Sequence, residues 1–135
     1  MKIVVDAMGG DFAPEVNVAG AVLAVQEFNP EIILVGKKDQ IESIFSKNNF
    51  DKKNIEIVDA PDVVEMNEKP HDAIRKKNSS MVISAQLVKQ GRGGAFVSAG
   101  NTGATLAIAV TTIGRLPNIS RPAIATFIPT AIESK

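Results

Sequence analysis

The chain has 135 residues, enough for one domain that buries roughly two-thirds of its unfolded surface, and its 15 basic residues balance 15 acidic ones. A net charge of zero excludes the global positive field that draws in nucleic acid or an anionic membrane, so charge recognition has to be local. No cysteine is present, which excludes disulfides, thiolate metal sites and cysteine nucleophiles and fits a reducing cytoplasm.

Residues 2–6 are a short β-branched run that reads as a strand and is too short for an export signal. Residues 15–28 repeat apolar side chains at helical spacing through Val18, Val22, Val25 and Phe28, with Pro14 suited to the first turn. Ile32-Ile33-Leu34-Val35 is a second strand between Pro30 and Gly36, and Asp39 to Glu42 has the pattern of a capping box ahead of Ile41, Ile44 and Phe45. A third strand is expected over 54–59, then a long polar loop to Pro70. A helix begun by Ser79 or Ser80 carries Met81, Ala85 and Val88 to Gly91. Residues 95–98 are a fourth strand. Residues 102–113 are apolar on nearly every side, as in a buried helix, and Leu106 to Val110 is far too short to span a bilayer. A fifth strand is expected over 123–128, after Arg121-Pro122.

Unbroken apolar strands alternating with helices specify a mainly parallel sheet in a three-layer, doubly wound α/β sandwich, spanning residues 1–135 as one domain. In such sheets ligands bind at the carboxyl ends of the strands where strand order reverses, between strands one and four if the order is 3-2-1-4-5. Those two strands run into the two glycine-rich turns of the chain, Asp6 to Pro14 and Ser98 to Ala104.

In Gly100-Asn101-Thr102-Gly103 the glycines clear side chains from the backbone, the amides at the helix start offer donors, and Asn101 and Thr102 add polar side chains. The competing interpretation is an ordinary N-cap, with Gly103 there for close packing. In the first turn Gly9 and Gly10 either face the same ligand or make a tight bend, with Asp11 capping the helix begun by Pro14. Neither turn carries a Gly-x-Gly-x-x-Gly fingerprint or a P-loop, so a small phosphate or acyl phosphate is the better match. Around Lys69 to Lys77 a basic cluster places Arg75 where it could grip phosphate and Lys76 and Lys77 where they could meet an acidic partner; solvated surface is the alternative. His71, the only histidine, lacks a catalytic partner in the pattern. Asp6 and Asp11 form an acid pair, or Asp6 caps amides at the strand end. No metal site is expected.

Four segments together, Asp6-Ala7-Met8-Gly9-Gly10-Asp11, Arg75-Lys76-Lys77-Asn78-Ser79-Ser80-Met81, Ser98-Ala99-Gly100-Asn101-Thr102-Gly103-Ala104 and Arg121-Pro122-Ala123, resemble in order and spacing the phosphate acyltransferase family of bacterial phospholipid synthesis. The resemblance runs from Met1 to about Pro129. It implies a fold similar to those of the isocitrate and isopropylmalate dehydrogenases and phosphotransacetylase. It also implies conversion of acyl-ACP, a fatty acyl chain on acyl carrier protein, and inorganic phosphate into acyl phosphate, with no cofactor. Under it Asn101, Thr102 and Asp11 serve the reaction; Gly9, Gly10, Ser98, Gly100, Gly103 and Arg75 bind phosphate or substrate; and Lys76 and Lys77 meet the carrier protein. Family members are homodimers of more than twice this length, and the region by which they touch the membrane lies in their second half. On this basis the chain is expected to be the N-terminal portion of a cytoplasmic, membrane-associated enzyme, inactive alone. Phe12 stands where the family often has histidine, which argues against a histidine mechanism at the first turn. A phosphotransacetylase-like enzyme acting on acyl-CoA, an isocitrate-type dehydrogenase and a non-catalytic phosphate-binding module remain the alternatives.

Overall fold

A computed structural model describes residues 1–123 and 125. In chain order the elements are β1 (Lys2–Asp6), α1 (Glu15–Phe28), β2 (Glu31–Gly36), α2 (Lys38–Asn48), β3 (Ile55–Asp59), α3 (Pro70–Ala73), α4 (Ser80–Lys89), β4 (Ala95–Val97) and α5 (Thr102–Ile108), which continues into a π-helical turn, Ala109–Ile113. The fifth strand expected over 123–128 lies outside the described residues, apart from Ala123 and Ala125, which are not in a strand.

The four strands form one parallel sheet in the order β3-β2-β1-β4. Alternate side chains feed opposite layers, as the two-residue period of a strand requires. Ile32 and Leu34 of β2 pack with Val18, Val22, Ile41 and Phe45 beneath α1 and α2. Ile33 and Val35, with Val4 of β1, pack on the other face against Leu87 of α4. Both faces of the inner strand β2 are therefore covered, and Ile32 to Gly36 are all buried. The result is the expected α/β architecture, consistent with a three-layer sandwich.

Local signals set the helix ends, with one substitution of partner. Asn29 and Asn49 close α1 and α2 in the left-handed conformation, at φ 53° and 51°, which asparagine tolerates better than most residues. Ser79 caps α4 by accepting the Val82 amide at 3.3 Å. The capping box expected from Asp39 does not form. α2 starts one residue earlier, at Lys38, and the Lys38 amide donates to Oδ1 of Asp59, at 3.0 Å, from the end of the adjacent strand β3. At the start of α1, Pro14 occupies the N-cap without a side-chain bond, so Asp11 does not cap this helix.

The segment 102–113 departs from the expectation of a buried helix. Only Ala104 and Ile108 are buried, against α3, α4 and their neighbours, and the remainder is half-exposed or exposed. Its outward apolar side chains find no covering layer among the described residues. After Ile108 the helix widens into the π turn, where the Thr111 hydroxyl donates to the carbonyls of Ala107 and Ile108 at 2.8 and 3.2 Å.

Candidate functional site: two glycine turns at the ends of β1 and β4

Because β1 and β4 are paired neighbours, from Ile3 opposite Ala95 to Val5 opposite Val97, the two glycine turns leave the sheet side by side. They touch. A Cβ built on Gly9 would lie 2.7 Å from Oδ2 of Asp6, 2.8 Å from Oγ of Ser98 and 2.9 Å from the Gly100 nitrogen. One built on Gly100 would meet Met81 Cε at 3.0 Å and Gly9 Cα at 3.2 Å. Here glycine is required for backbone approach. Gly10 needs it for conformation, with φ at +104° and the Ala99 carbonyl oxygen 3.1 Å from where a Cβ would stand.

The first turn is fastened from α1. Nδ2 of Asn17 donates to the carbonyls of Ala7 and Gly9 at 3.1 and 2.7 Å and reaches that of Asp6 at 3.4 Å. With those carbonyls drawn toward the helix, the planarity of the peptide turns the following amides away from it. Sequence reading missed Asn17, since a lone polar residue in the first turns of an amphipathic helix carries no distinguishing pattern. Asp6 is buried and accepts the Met8 amide at 3.1 Å and the Ser98 hydroxyl at 2.8 Å, while Asp11 is exposed. The strand-end capping role of Asp6 is therefore the one the structure adopts, in place of an acid pair.

In the second turn the side chain of Asn101 is fully engaged. Oδ1 accepts the Ala104 amide at 3.0 Å, as an N-cap does, and Nδ2 donates to the carbonyls of Met66 and Glu68 at 2.9 and 2.8 Å. The polar loop after β3 is thus laid against α5 and pinned by Asn101. Gly100 donates to Ser98 Oγ at 3.1 Å, and the Thr105 amide donates to the Asn101 carbonyl at 2.9 Å. These bonds leave the amides of Asn101, Thr102 and Gly103 without an acceptor among the described residues, and Thr102 and Gly103 are exposed. Pro70 borders Gly103, 3.3 Å from where a Cβ would lie.

The basic cluster divides. Lys77 is exposed, and Arg75 is exposed as well. Lys76 is drawn out of the patch: its Nζ donates to the Val63 carbonyl at 2.9 Å and to Oε2 of Glu68 at 2.7 Å, so it is a second pin on the polar loop. That hydrogen bond from Lys76 holds the Glu68 carboxyl below its ordinary value, outweighing the opposing effect of burial. His71 is exposed, with Nε2 2.9 Å from Oδ1 of its neighbour Asp72. A concavity of about 410 Å³ lined by Val22, Gln26, Asn29 and Lys53 lies at the amino ends of β2 and β3, away from both turns.

A family described as "Fatty acid synthesis protein" matches residues 1–135. Similar proteins named phosphate acyltransferase include those of Clostridioides difficile, 48% identical over 130 residues, and Thermodesulfovibrio yellowstonii, 48% identical over 129; each alignment covers 96% of this chain. That of Dictyoglomus thermophilum is 46% identical over 134 residues, 98% of this chain. The chain spans 38%, 37% and 40% of the length of these three relatives. Matched from first residue to last, with the contacting glycine turns inside the matched region, the chain belongs to the fatty acid synthesis protein family.

Proposed function

We propose that this chain supplies one wall of the active site of an acyltransferase that makes acyl phosphate from acyl-ACP and inorganic phosphate. The observation that carries the reading is the contact of the two glycine turns at the carboxyl ends of adjacent parallel strands, in a chain whose relatives are named phosphate acyltransferase. A phosphate oxygen attacks the thioester carbonyl, forming the C–O bond. The carbonyl electrons move onto oxygen, then return to break the C–S bond. The thiolate of the carrier's pantetheine arm leaves and takes up a proton. No protein nucleophile is needed, so the protein has to hold phosphate and carbonyl together and stabilise the oxyanion.

The unengaged amides of Asn101, Thr102 and Gly103, with the Thr102 hydroxyl, are the donors for phosphate or oxyanion, while Gly9, Gly10 and Asp11 form the facing wall. Ser98 and Gly100 border the cleft and hold its shape, since their polar groups face each other. Arg75 and Lys77 are the exposed cations for an acidic carrier protein; Lys76, already paired with Glu68, supports the loop beside them. Homodimer assembly, a cytoplasmic setting and contact with the membrane through the remaining length of the relatives complete the proposal.

The test is acyl phosphate formation by the protein at the full length of its relatives, with acyl-ACP and phosphate as substrates. Combined Asn101→Ala and Thr102→Ala is expected to lower kcat/KM for phosphate by about 10²- to 10³-fold, because Thr102→Ala removes the hydroxyl donor and Asn101→Ala removes the cap that holds the donor amides in place. Unchanged rate and unchanged phosphate KM refute the assignment. Preference for acyl-CoA over acyl-ACP in the same assay selects the phosphotransacetylase-like alternative.

A further inference from the structure

Asp6 closes β1 with 1% of its surface exposed, and no step of the transfer proposed above uses it. A carboxyl group in that position is costly unless its oxygens are satisfied. Both are, and by opposite turns. Oδ1 accepts from the Met8 amide at 3.1 Å in the first turn, and Oδ2 accepts from the Ser98 hydroxyl at 2.8 Å in the second, 92 positions along the chain. The Ser98 oxygen itself accepts from the Gly100 amide at 3.1 Å. With its oxygen receiving the Gly100 N–H, the hydroxyl directs its hydrogen to Asp6, so the relay has one sense: amide to hydroxyl to carboxyl.

We propose that Asp6 is a positioning residue for the acyl-transfer site, setting through Ser98 and Gly100 how the two glycine turns stand relative to each other; the inference rests on the functional reading above. Strand pairing alone does not set this. The ladder between β1 and β4 ends at Val5 and Val97, one residue short of both turns, and the Asp6–Ser98 bond is the next rung, made by side chains. The first turn is anchored independently by Asn17 from α1, so the relay ties the second turn to it. Met8 and Gly100 spend their amides inside the relay, which leaves the amides beyond Gly100 to face a ligand.

Asp6→Asn is a sharp probe because the shape is kept and the relay is not. If the amide oxygen faces Met8, its nitrogen donates to Ser98, whose oxygen then receives two donors while its own hydrogen loses its acceptor. If the amide is reversed, its nitrogen confronts the Met8 N–H. Either way a donor is left without its acceptor, the Ser98 hydroxyl in the first arrangement and the Met8 amide in the second.

The experiment measures acyl phosphate formation, and inorganic phosphate binding by calorimetry, on the full-length protein and on D6N, S98A, S98T and D6N/S98A. Because misplacement by about 1 Å costs up to about 10²-fold, D6N is expected to lower kcat/KM for phosphate about 10- to 100-fold and leave KM for the acyl donor within about twofold. S98T, which keeps a hydroxyl, retains most activity, S98A loses as much as D6N, and the double variant loses no more than either single one. Turnover and phosphate binding by D6N equal to the unmodified protein overturn the inference while leaving the functional reading intact, as do losses that multiply in D6N/S98A. Phosphate binding weakened in D6N, in a protein that makes no acyl phosphate, sinks the functional reading and retains Asp6 as a positioning residue for phosphate. Absence of both turnover and phosphate binding in the unmodified protein refutes both. If D6N fails to melt cooperatively, S98A and S98T decide, and equal activity of the two overturns the inference.

Discussion

At Gly9 a single methyl group is incompatible with the arrangement of three polar atoms. The Asp6 carboxyl, the Ser98 hydroxyl and the Gly100 amide all lie within 2.9 Å of where a Cβ would stand, and none is the free end of a flexible side chain. Gly9→Ala is expected to destabilise the chain by about 1–3 kcal/mol, the usual cost of forcing volume into a packed site, read as a lower denaturant midpoint at unchanged slope. Glycine at this position is visible in the sequence, but its reason is not. A doubled glycine after a strand equally describes a tight bend, and only the atoms brought beside it by β4 show that close approach is what excludes a side chain. Asn101 makes the same point. Its capping of α5 was legible from an Asn ahead of an apolar run, whereas its hold on the Met66 and Glu68 carbonyls depends on a loop more than 30 positions earlier in the chain.

At the scale of elements, alternation and strand content were legible because parallel strands covered on both faces have to be apolar throughout, and 32–35 could be little else. The start of α2 was not, because its cap comes from another strand. Asp59 ends β3 beside Gly36, its partner in the ladder, and from there its carboxylate reaches the Lys38 amide across 21 positions. Asp59→Ala is expected to cost about 1 kcal/mol, while Asp39→Ala, at the residue the local pattern favours, costs less, as chemical denaturation of the two variants measures. α5 shows the opposite failure. An all-round apolar pattern predicts burial correctly only if there is something to bury against, and α3 and α4 cover one side of it.

For the molecule as a whole, the sheet formed by the described residues has β3 and β4 at its edges. β4 is three residues long, with Ala95 and Val97 exposed and Val97 at 53%. The two touching turns leave the sheet next to that edge, and α5 beside them is half-covered, so the proposed site has walls on the β1 side and at α5 but none beyond β4 among the described residues. The 135-residue chain alone is expected to form no acyl phosphate when assayed with acyl-ACP and phosphate; measurable product would show that these walls suffice. At the opposite end of the sheet Glu56 pairs with Lys2 at 2.9 Å and with Arg92, and the bond from Lys2 is the main cause that keeps its carboxyl below the ordinary range. All three side chains are at least a third exposed, so the network is screened by solvent and clamps strand ends rather than forming a buried site.

The sequence by itself determined the α/β class, the sequence of strands and helices through β4 except the short helix α3, and the two glycine turns as the places where chemistry could occur, because periodicity, caps and glycine are local properties of a chain. Tertiary structure alone decided that the turns touch, that Asp6 is a bridge between them, that Lys76 belongs to the loop and that Asn17 holds the first turn. The first two depend on contacts between segments about 90 positions apart, which exist only once β1 and β4 have paired; the last two depend on side chains that reach 8 to 13 positions back along the chain to backbone and carboxylate partners no local pattern specifies.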